Sequence, residues 1–169
     1  MGDWRSYLFG PKTPLGLAAA LAACLADQAL KLWLLFRFDL AQQGVVPLAP
    51  VLDLRLVWNT GISYGLLQQQ TELGGLLLLG GKAIALVLLW VWLARTESKL
   101  AALSLGLIIG GAIGNAVDRL AYGAVADFVH FHVGNFSWYV FNLADAAIVA
   151  GVAGLLYETF RGGSAAKAP

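Results

Sequence analysis

Two acidic residues, Asp127 and Asp145, each border a long apolar stretch of the sequence, and Asn142 precedes the second by three positions. If two carboxyl groups lie close together at such a boundary, their like charges force one to keep its proton while the other stays ionised. The ionised carboxylate can then draw a proton from water while the protonated one hydrogen-bonds a carbonyl, without metal, cofactor or covalent intermediate. The sequence alone does not bring the two together, so solvated loop acids and a proton relay remain alternatives.

Three polar residues at one end of an apolar segment form a second candidate group. Asn115, Asp118 and Arg119 are spaced i, i+3 and i+4, so in a helix they share one face and present an amide, a carboxylate and a guanidinium together. Asp118 and Arg119 can pair with each other or cap the helix end. We therefore predict structural support for Asp118 and leave both a structural and a functional role open for Arg119.

Charged residues also occur inside the other apolar segments. Asp27 precedes Lys31 by four residues, a spacing that puts both on one helical face. An unpaired charge at the centre of a bilayer costs at least about 2.5 kcal/mol, so we predict that these two neutralise each other and brace their helix. Lys82 has no such partner within its own helix turn, and snorkelling to the headgroups is the simplest account of it.

Small residues recur at a helical spacing just before Asn115. Gly106, Gly110 and Gly114 follow one another every four residues. Such a stripe lets a neighbouring helix approach closely, and packing is a sufficient explanation for these glycines.

The composition identifies the elements that must position these residues. The chain has 169 residues, about one domain, of which 59% are hydrophobic and 12% charged, and its mean hydropathy is +0.73. Soluble domains carry roughly 25% charged residues, so this is a membrane protein. A single cysteine, Cys24, excludes an internal disulfide, and a net charge of +1 argues against a nucleic-acid partner.

The apolar stretches predict an all-α polytopic fold that forms one membrane domain over residues 1–169. Each stretch is close to the ~20 residues that cross a bilayer as a helix. The predicted spans are Leu15 to Phe36, Leu73 to Ala94, Leu100 to Arg119 and Val140 to Phe160.

The basic residues predict the orientation of these spans. Six of them flank one side, whereas Arg37 and Arg55 alone lie on the other. The positive-inside rule therefore puts both termini in the cytoplasm and the loops 37–72 and 120–139 outside. The six are Arg5, Lys12, Arg95, Lys99, Arg161 and Lys167.

The first outer loop has the pattern of a hairpin. Polar and apolar residues alternate over residues 51–58, Asn59-Thr60-Gly61 supplies turn chemistry, and residues 62–67 can pair back. We predict that this hairpin, around Asn59, Gly61 and Tyr64, forms a cover together with the strand that bears Asp127.

The second outer loop also has the pattern of a hairpin. Residues 125–133 alternate with Asp127 on one face, Gly134 and Asn135 turn the chain, and residues 136–140 return. We predict one small antiparallel β element on the extracytoplasmic side. Its aromatic residues Trp58, Trp138 and Tyr139 are expected at headgroup depth.

His130 and His132 share one face of the second predicted strand. Because no cluster of cysteine or carboxylate ligands surrounds them in the sequence, we favour strand residues over a metal site and predict neither metal nor cofactor.

Five short motifs together resemble the lipoprotein signal peptidases, the signal peptidase II family. They occur in the family's order and cover spans one, three and four and both outer loops. The motifs are Asp27 to Lys31, Asn59 to Gly61, Gly114 to Arg119, Val125 to Phe128 and Phe141 to Asp145. One departure is Ile62-Ser63-Tyr64, where the family often has small residues and Phe; Tyr64 keeps an aromatic ring.

The resemblance implies an aspartic endopeptidase of the bacterial cytoplasmic membrane, acting near its outer face. It would cut prolipoproteins just before the lipobox cysteine, after that cysteine has received a diacylglyceryl group. Asp127 and Asp145 would be its catalytic dyad. The resemblance also makes Asn59, Asn115, Arg119 and Asn142 polar groups that bind and position substrate. Turn chemistry adds Gly61 to this set. On their spacing alone, Asp27, Lys31 and Asp118 are expected as structural support. We expect a monomer in contact with membrane lipid.

Two other classes of protein remain open on the residues alone. A small proton-coupled carrier could use Asp118, Arg119 and Asp145 as a relay, but a carrier places its binding groups near the midplane between repeated halves, and we find no internal repeat. A noncatalytic scaffold could assemble through the glycine stripe. It offers no reason for the amides and acids to collect on one side.

Overall fold

The structure, a computed structural model, describes residues 8–61 and 72–165, with side chains outside 72–79, 82 and 162–165. Its elements alternate between long helices and a sheet built from the two connecting loops. In chain order they are α1 (Thr13–Phe36), α2 (Leu40–Gln43), β1 (Val46–Ala49), β2 (Leu52–Asn59), α3 (Glu72–Arg95), α4 (Lys99–Tyr122), β3 (Val125–Val133), β4 (Phe136–Phe141) and α5 (Leu143–Ala165). The return strand predicted over 62–67, Tyr64 and the side chain of Lys82 lie outside the described residues.

Three helices of the described part of the chain are long and apolar enough to cross a membrane, namely α1, α4 and residues 143–161 of α5. In α3 the described apolar segment is shorter, Ala83–Arg95, although the helix itself has 24 residues. The predicted start of span four at Val140 is wrong, because Val140 and Phe141 belong to β4 and the helix begins at Leu143.

Helix α4 packs closely against α1, as the glycine stripe predicts. A Cβ atom at Gly106 would meet the carbonyl oxygen of Gly16, and one at Gly110 would meet that of Ala20. The stripe is therefore occupied by α1 of the same chain, which removes the surface that the scaffold hypothesis needs.

A different face of α4 packs against α5. A Cβ atom at Gly111 would lie 2.5 Å from the carbonyl oxygen of Ala144. Because glycines line both faces, α4 holds α1 and α5 at close range, and it brings the polar residues near its C-terminal end against both neighbours.

The predicted antiparallel sheet is present, and the strand order in the described residues is β1-β2-β3-β4. The second hairpin is confirmed: β3 and β4 pair through a turn in which Gly134 has a φ of 57°. β3 also pairs with β2, with Val57 opposite Asp127 and Asp53 opposite His130. The two loops thus form one continuous sheet, to which β1 adds a strand that the sequence pattern did not predict.

An apolar cluster fixes the sheet to the helices. Leu34 of α1, Leu40 of α2 and Phe128 of β3 are buried together. This contact anchors β3 at the C-terminal end of α1, and it carries Asp127 next to the helix ends that bear the other candidate residues.

Candidate active site

Asp127 lies on β3 and is 1% exposed. Its Oδ1 accepts a 2.6 Å hydrogen bond from Asn142 Nδ2, and its Oδ2 accepts a 3.1 Å bond from Asn59 Nδ2. Both partners come from neighbouring elements, since Asn59 ends β2 and Asn142 links β4 to α5. The carboxyl group is therefore held by two amides from different parts of the fold.

Asp145 lies in the first turn of α5, where it forms a reciprocal cap with Asn142. Asn142 Oδ1 accepts from the backbone N–H of Asp145 at 2.9 Å, and Asp145 Oδ2 accepts from the backbone N–H of Asn142 at 3.3 Å. This is the capping-box arrangement, which satisfies two amide groups that a helix N-terminus would otherwise leave without partners. The same residue, Asn142, thus contacts both predicted catalytic acids.

Asn115 of α4 joins the same network by bonding Asp145 and Asn142. Its Nδ2 donates to Asp145 Oδ1 at 2.8 Å, while its Oδ1 accepts from Asn142 Nδ2 at 3.0 Å and from Lys31 Nζ at 3.2 Å. The fold therefore brings Asp127 and Asp145, 18 positions apart in the sequence, into one network through two asparagine side chains.

Burial raises the pKa of Asp127 from 3.8 to about 6. The hydrogen bond from Asn59 opposes this shift, the charge of Asp145 adds to it, and the bond from Asn142 lowers the pKa again. Asp127 thus has the character of a carboxyl group that keeps its proton at a pH where ordinary aspartates have lost it.

The predicted pair of Asp27 and Lys31 is present at 2.7 Å, and it has a third member. Lys31 Nζ also lies 2.8 Å from Asp118, and all three side chains are buried. The expected pairing of Asp118 with Arg119 is therefore wrong. It fails because Asp118 faces α1, where Lys31 and Gln28 supply its partners, Gln28 donating a 2.8 Å hydrogen bond.

These two buried carboxylates also hold the backbone next to the candidate acids. Asp118 Oδ2 accepts from the N–H of Ala126 at 3.1 Å, and Asp27 Oδ1 accepts from the N–H of Ala144 at 2.9 Å. Ala126 and Ala144 each directly precede a predicted catalytic aspartate. Lys31 thus pairs with two carboxylates, and each carboxylate holds the backbone just before one of the candidate acids.

Arg119 contacts the end of the first outer loop. Its Nη2 donates to the carbonyl oxygen of Gly61 at 3.1 Å, and its Nη1 donates to the carbonyl oxygen of Asn115 at 3.3 Å. The N–H of Gly61 in turn bonds Asn59 Oδ1 at 3.0 Å, which closes a local turn. Arg119 therefore ties the segment 59–61, of which Gly61 is buried, to α4.

An open cleft of about 400 Å³ reaches Asp127 from the side of this turn. Its wall combines aromatic, polar and basic residues. The lining includes Arg55, Trp58, Thr60, Gly61, Tyr139 and Val140.

Tyr139 is a site residue that the sequence reasoning missed, since we expected only an interfacial aromatic there. Its hydroxyl group accepts a 3.0 Å hydrogen bond from Asn59 Nδ2, the group that also bonds Asp127. The pairing of β2, β3 and β4 creates this contact, and no local pattern could have predicted it.

The sequence places no cluster of carboxylate ligands around the two histidines, but the fold brings one carboxylate beside them. Asp53 Oδ2 is 3.4 Å from His130 Nδ1 and 3.1 Å from His132 Nε2. Asp53 is far away in the sequence, and the register of β2 against β3 brings it opposite His130.

The sequence model of one family, described as signal peptidase (SPase) II, matches residues 19–161. The chain belongs to the signal peptidase II family. The match includes every residue of the network described above, and it identifies the protein as a peptidase of the bacterial membrane.

Close relatives of the peptidase are similar along nearly their whole length. A lipoprotein signal peptidase of Nitrobacter hamburgensis is 60% identical over 163 residues, which cover 93% of this chain and 99% of the relative. One of Rhodopseudomonas palustris strain TIE-1 is 57% identical over 159 residues, with 92% and 97% covered.

Two solved structures, both described as bacterial membrane enzymes, have the same fold as the peptidase. The first has a TM-score of 0.74 at 21% identity, with 91% of this chain and 92% of that chain covered. The second has a TM-score of 0.67 at 21% identity, with 85% and 91% covered.

Proposed function

We propose that this peptidase removes the signal peptide of prolipoproteins by cutting before a diacylglyceryl-modified cysteine, with Asp127 and Asp145 as its catalytic pair. The observation that carries the assignment is the position of Asn142, whose side chain bonds one acid while its backbone and side chain bond the other. The relatives are named lipoprotein signal peptidases, which supports the substrate class.

The environments of the two acids suggest different roles for them. Asp127 is buried and its raised pKa favours the protonated form, so we assign it the shared proton. Asp145 is half-buried and accepts hydrogen bonds from Asn115 and from the backbone of Asn142. With the shared proton on Asp127, we assign Asp145 the role of the ionised base.

Hydrolysis then follows without a covalent intermediate. The Asp145 carboxylate takes a proton from water, the hydroxide attacks the scissile carbonyl carbon, and the Asp127 O–H donates to the carbonyl oxygen. When the C–N bond breaks, a proton held by the pair passes to the leaving nitrogen. One pair of carboxyl groups thus supplies both the base and the acid.

Substrate binding is assigned to the cleft and to the turn beside it. Asn59 and Gly61 offer hydrogen-bonding groups next to Asp127, and Arg119 holds the turn in place. Asn115 and Asn142 position the acids. The segment 59–61 would act as a cover that holds the extended peptide and releases the product.

The membrane arrangement is proposed from the helix lengths and the basic residues. At 1.5 Å per residue, the 24 residues of α3 span about 36 Å, enough to cross ~30 Å of hydrocarbon as a fourth span beside α1, α4 and α5. With both termini cytoplasmic, the sheet and the acids lie at the outer face. Residues 1–169 form one domain that acts as a monomer.

Access from lipid is part of the same proposal. The helices expose large apolar side chains such as Leu21, Leu88 and Val149, which suits contact with membrane lipid. The signal helix and the diacylglyceryl chains favour hydrocarbon, whereas the reaction needs water. We therefore place substrate entry sideways between spans, with the acids near the interface where water reaches them.

The decisive experiment measures cleavage of a diacylglyceryl-modified prolipoprotein by purified protein in detergent. Asp127→Asn and Asp145→Asn should each abolish cleavage while circular dichroism stays unchanged, because a pair needs one ionised and one protonated carboxyl group. Asp39→Asn, which changes an acid outside the network, is the matched control and should cleave at the wild-type rate. Wild-type turnover by a folded Asp127 or Asp145 variant would refute the assignment.

The family match does not favour the alternative function, a small proton-coupled carrier. The buried acids Asp27 and Asp118 share the one amine of Lys31, an arrangement that holds the fold together.

A further inference from the structure

We propose that Asp53, His130 and His132 form a binding site for one zinc ion on the outer sheet, separate from the catalytic pair. The three candidate ligand atoms, one from each side chain, lie within 4.8 Å of one another. Zinc in proteins is held by imidazole nitrogen and carboxylate oxygen atoms, typically with three protein ligands where a position is left open for water.

The backbone places these three residues on one face of the sheet. His130 and His132 are two positions apart on β3, so their side chains project to the same side, and Asp53 is the cross-strand partner of His130 on β2. The two imidazole rings stack with centroids 5.2 Å apart and planes inclined by 20°. This arrangement directs two ring nitrogens toward one carboxylate.

The distances fit a single small ion. Asp53 Oδ2 lies 3.4 Å from His130 Nδ1 and 3.1 Å from His132 Nε2. Ligand atoms at zinc bond lengths of about 2.0–2.1 Å in a tetrahedron are about 3.3 Å apart. Two imidazoles with one carboxylate favour zinc over magnesium or calcium, which prefer oxygen ligands alone.

A buried nitrogen atom without a hydrogen-bond partner is a second observation that points to a bound ion. His132 Nε2 is buried and has no hydrogen-bond partner among the described residues, because Asp53 Oδ2 lies close to it but outside hydrogen-bond direction. A buried nitrogen without a partner is costly unless something else satisfies it. A metal ion bound beside the carboxylate would satisfy it.

One tautomer of His130 suits metal binding, because its second ring nitrogen has a partner. Its Nε2 lies 2.7 Å from Ser137 Oγ on β4, so an N–H on Nε2 leaves the Nδ1 lone pair facing Asp53. Metal-bound histidines almost always donate their second N–H to such a partner.

The site is accessible to an ion and remote from the chemistry. The side chains of Asp53 and His132 are 16% and 26% exposed. His130 is three residues from Asp127 on β3, so the two side chains project to opposite faces of the sheet. The ion would therefore cross-link β2 and β3, with Ser137 extending the support to β4, and would leave the catalytic pair untouched.

The test uses zinc chloride and full-length protein purified in detergent without a polyhistidine tag, after dialysis against EDTA. Calorimetry should give one ion per chain, and zinc should raise the unfolding temperature. The chain has two histidines and one cysteine in all, so competing sites are few. Asp53→Asn and His132→Gln should each weaken binding at least about tenfold, since even the loss of a ligand's hydrogen-bond partner has that effect.

Asp39→Asn serves as the control and should bind zinc as the wild type does. Equal zinc affinity in the wild type and His132→Gln would overturn the proposal, as would a wild type that binds no stoichiometric zinc. In the latter case a shared proton between Asp53 and the histidines explains the geometry. Cleavage of prolipoprotein should survive EDTA; its loss, with recovery on added zinc, would overturn the separation from the catalytic pair.

Discussion

Asn142 donates a 2.6 Å hydrogen bond from its Nδ2 to Asp127 Oδ1, the shortest polar contact at the candidate site. The same residue precedes α5 and caps it by accepting from the N–H of Asp145. A single side chain thus begins a helix, orients one carboxyl group and bonds the other. The position of the catalytic pair is therefore coupled to the start of that helix.

Substitutions of Asn142 separate its role in capping α5 from its hydrogen bond to Asp127. Asn142→Ser keeps a residue that caps a helix but is too short to hold Asp127, whereas Asn142→Ala removes both functions. We expect kcat/KM to fall at least about tenfold in both variants, with misplaced acids as the reason. Only Asn142→Ala should lose the additional ~1 kcal/mol of stability that a cap contributes, measured by thermal unfolding in detergent. Wild-type cleavage by Asn142→Ser would show that the contact with Asp127 has no catalytic consequence.

The pKa of Asp127, raised to about 6, predicts how activity depends on pH. If Asp127 must be protonated, kcat/KM should fall as pH rises above about 6, approaching a tenfold loss per unit. Initial rates with one lipidated substrate from pH 4 to 9 measure the profile. A flat profile between pH 6 and 8 would contradict the assignment of the proton.

The raised pKa of Asp127 also makes the free energy of unfolding depend on pH. The unfolded chain binds this proton with a pKa near 3.8, so the folded state gains a proton between pH 6 and 4 that the unfolded state lacks. This extra proton on Asp127 stabilises the folded state fully below pH 3.8, and the stabilisation is lost as pH rises through 6. Unfolding temperatures should therefore depend less on pH over this window in Asp127→Asn than in the wild type, and equal dependence would argue against the shift.

The variant Asp118→Asn tests whether Asp118 has a structural role or takes part in the reaction. The variant keeps a side chain that can accept from Ala126 but loses the ion pair with Lys31. We expect it to be destabilised by about 1–3 kcal/mol and to keep more cleavage activity than Asp127→Asn or Asp145→Asn, because Lys31 still has Asp27. Thermal unfolding and cleavage assays on the same preparation measure both effects. A folded Asp118→Asn protein as inactive as the catalytic variants would refute its structural role.

Gly61→Val tests the cover. Gly61 is buried, its carbonyl oxygen accepts from Arg119, and its N–H bonds Asn59, so we expect a branched side chain at this position to disturb the turn. We expect kcat/KM for the lipidated substrate to fall at least about tenfold while the helical circular dichroism is unchanged. The matched control is Gly80→Val, because an added Cβ at Gly80 meets no atom within 4 Å. If Gly61→Val cleaves as the wild type does, the cover has no role in the reaction.

The sequence by itself determined the class of protein and its local elements. Hydropathy and charge identify a membrane protein, alternation over 125–133 predicts β3, and the four-residue spacing predicts the pair of Asp27 and Lys31. These signals are local, since periodicity and spacing depend only on neighbours along the chain. The start of α5 was misplaced because β4 is as apolar as the helix that follows it.

Only the tertiary structure decided which distant groups meet. Asp118 pairs with Lys31, because the glycines of α4 let α1 approach that face; its neighbour Arg119 binds the turn at Gly61. The register of β2 against β3 places Asp53 beside His130. The glycine spacing indicated that some helix would approach α4, but which helix it is, and which strand residues lie opposite each other, depends on the whole fold.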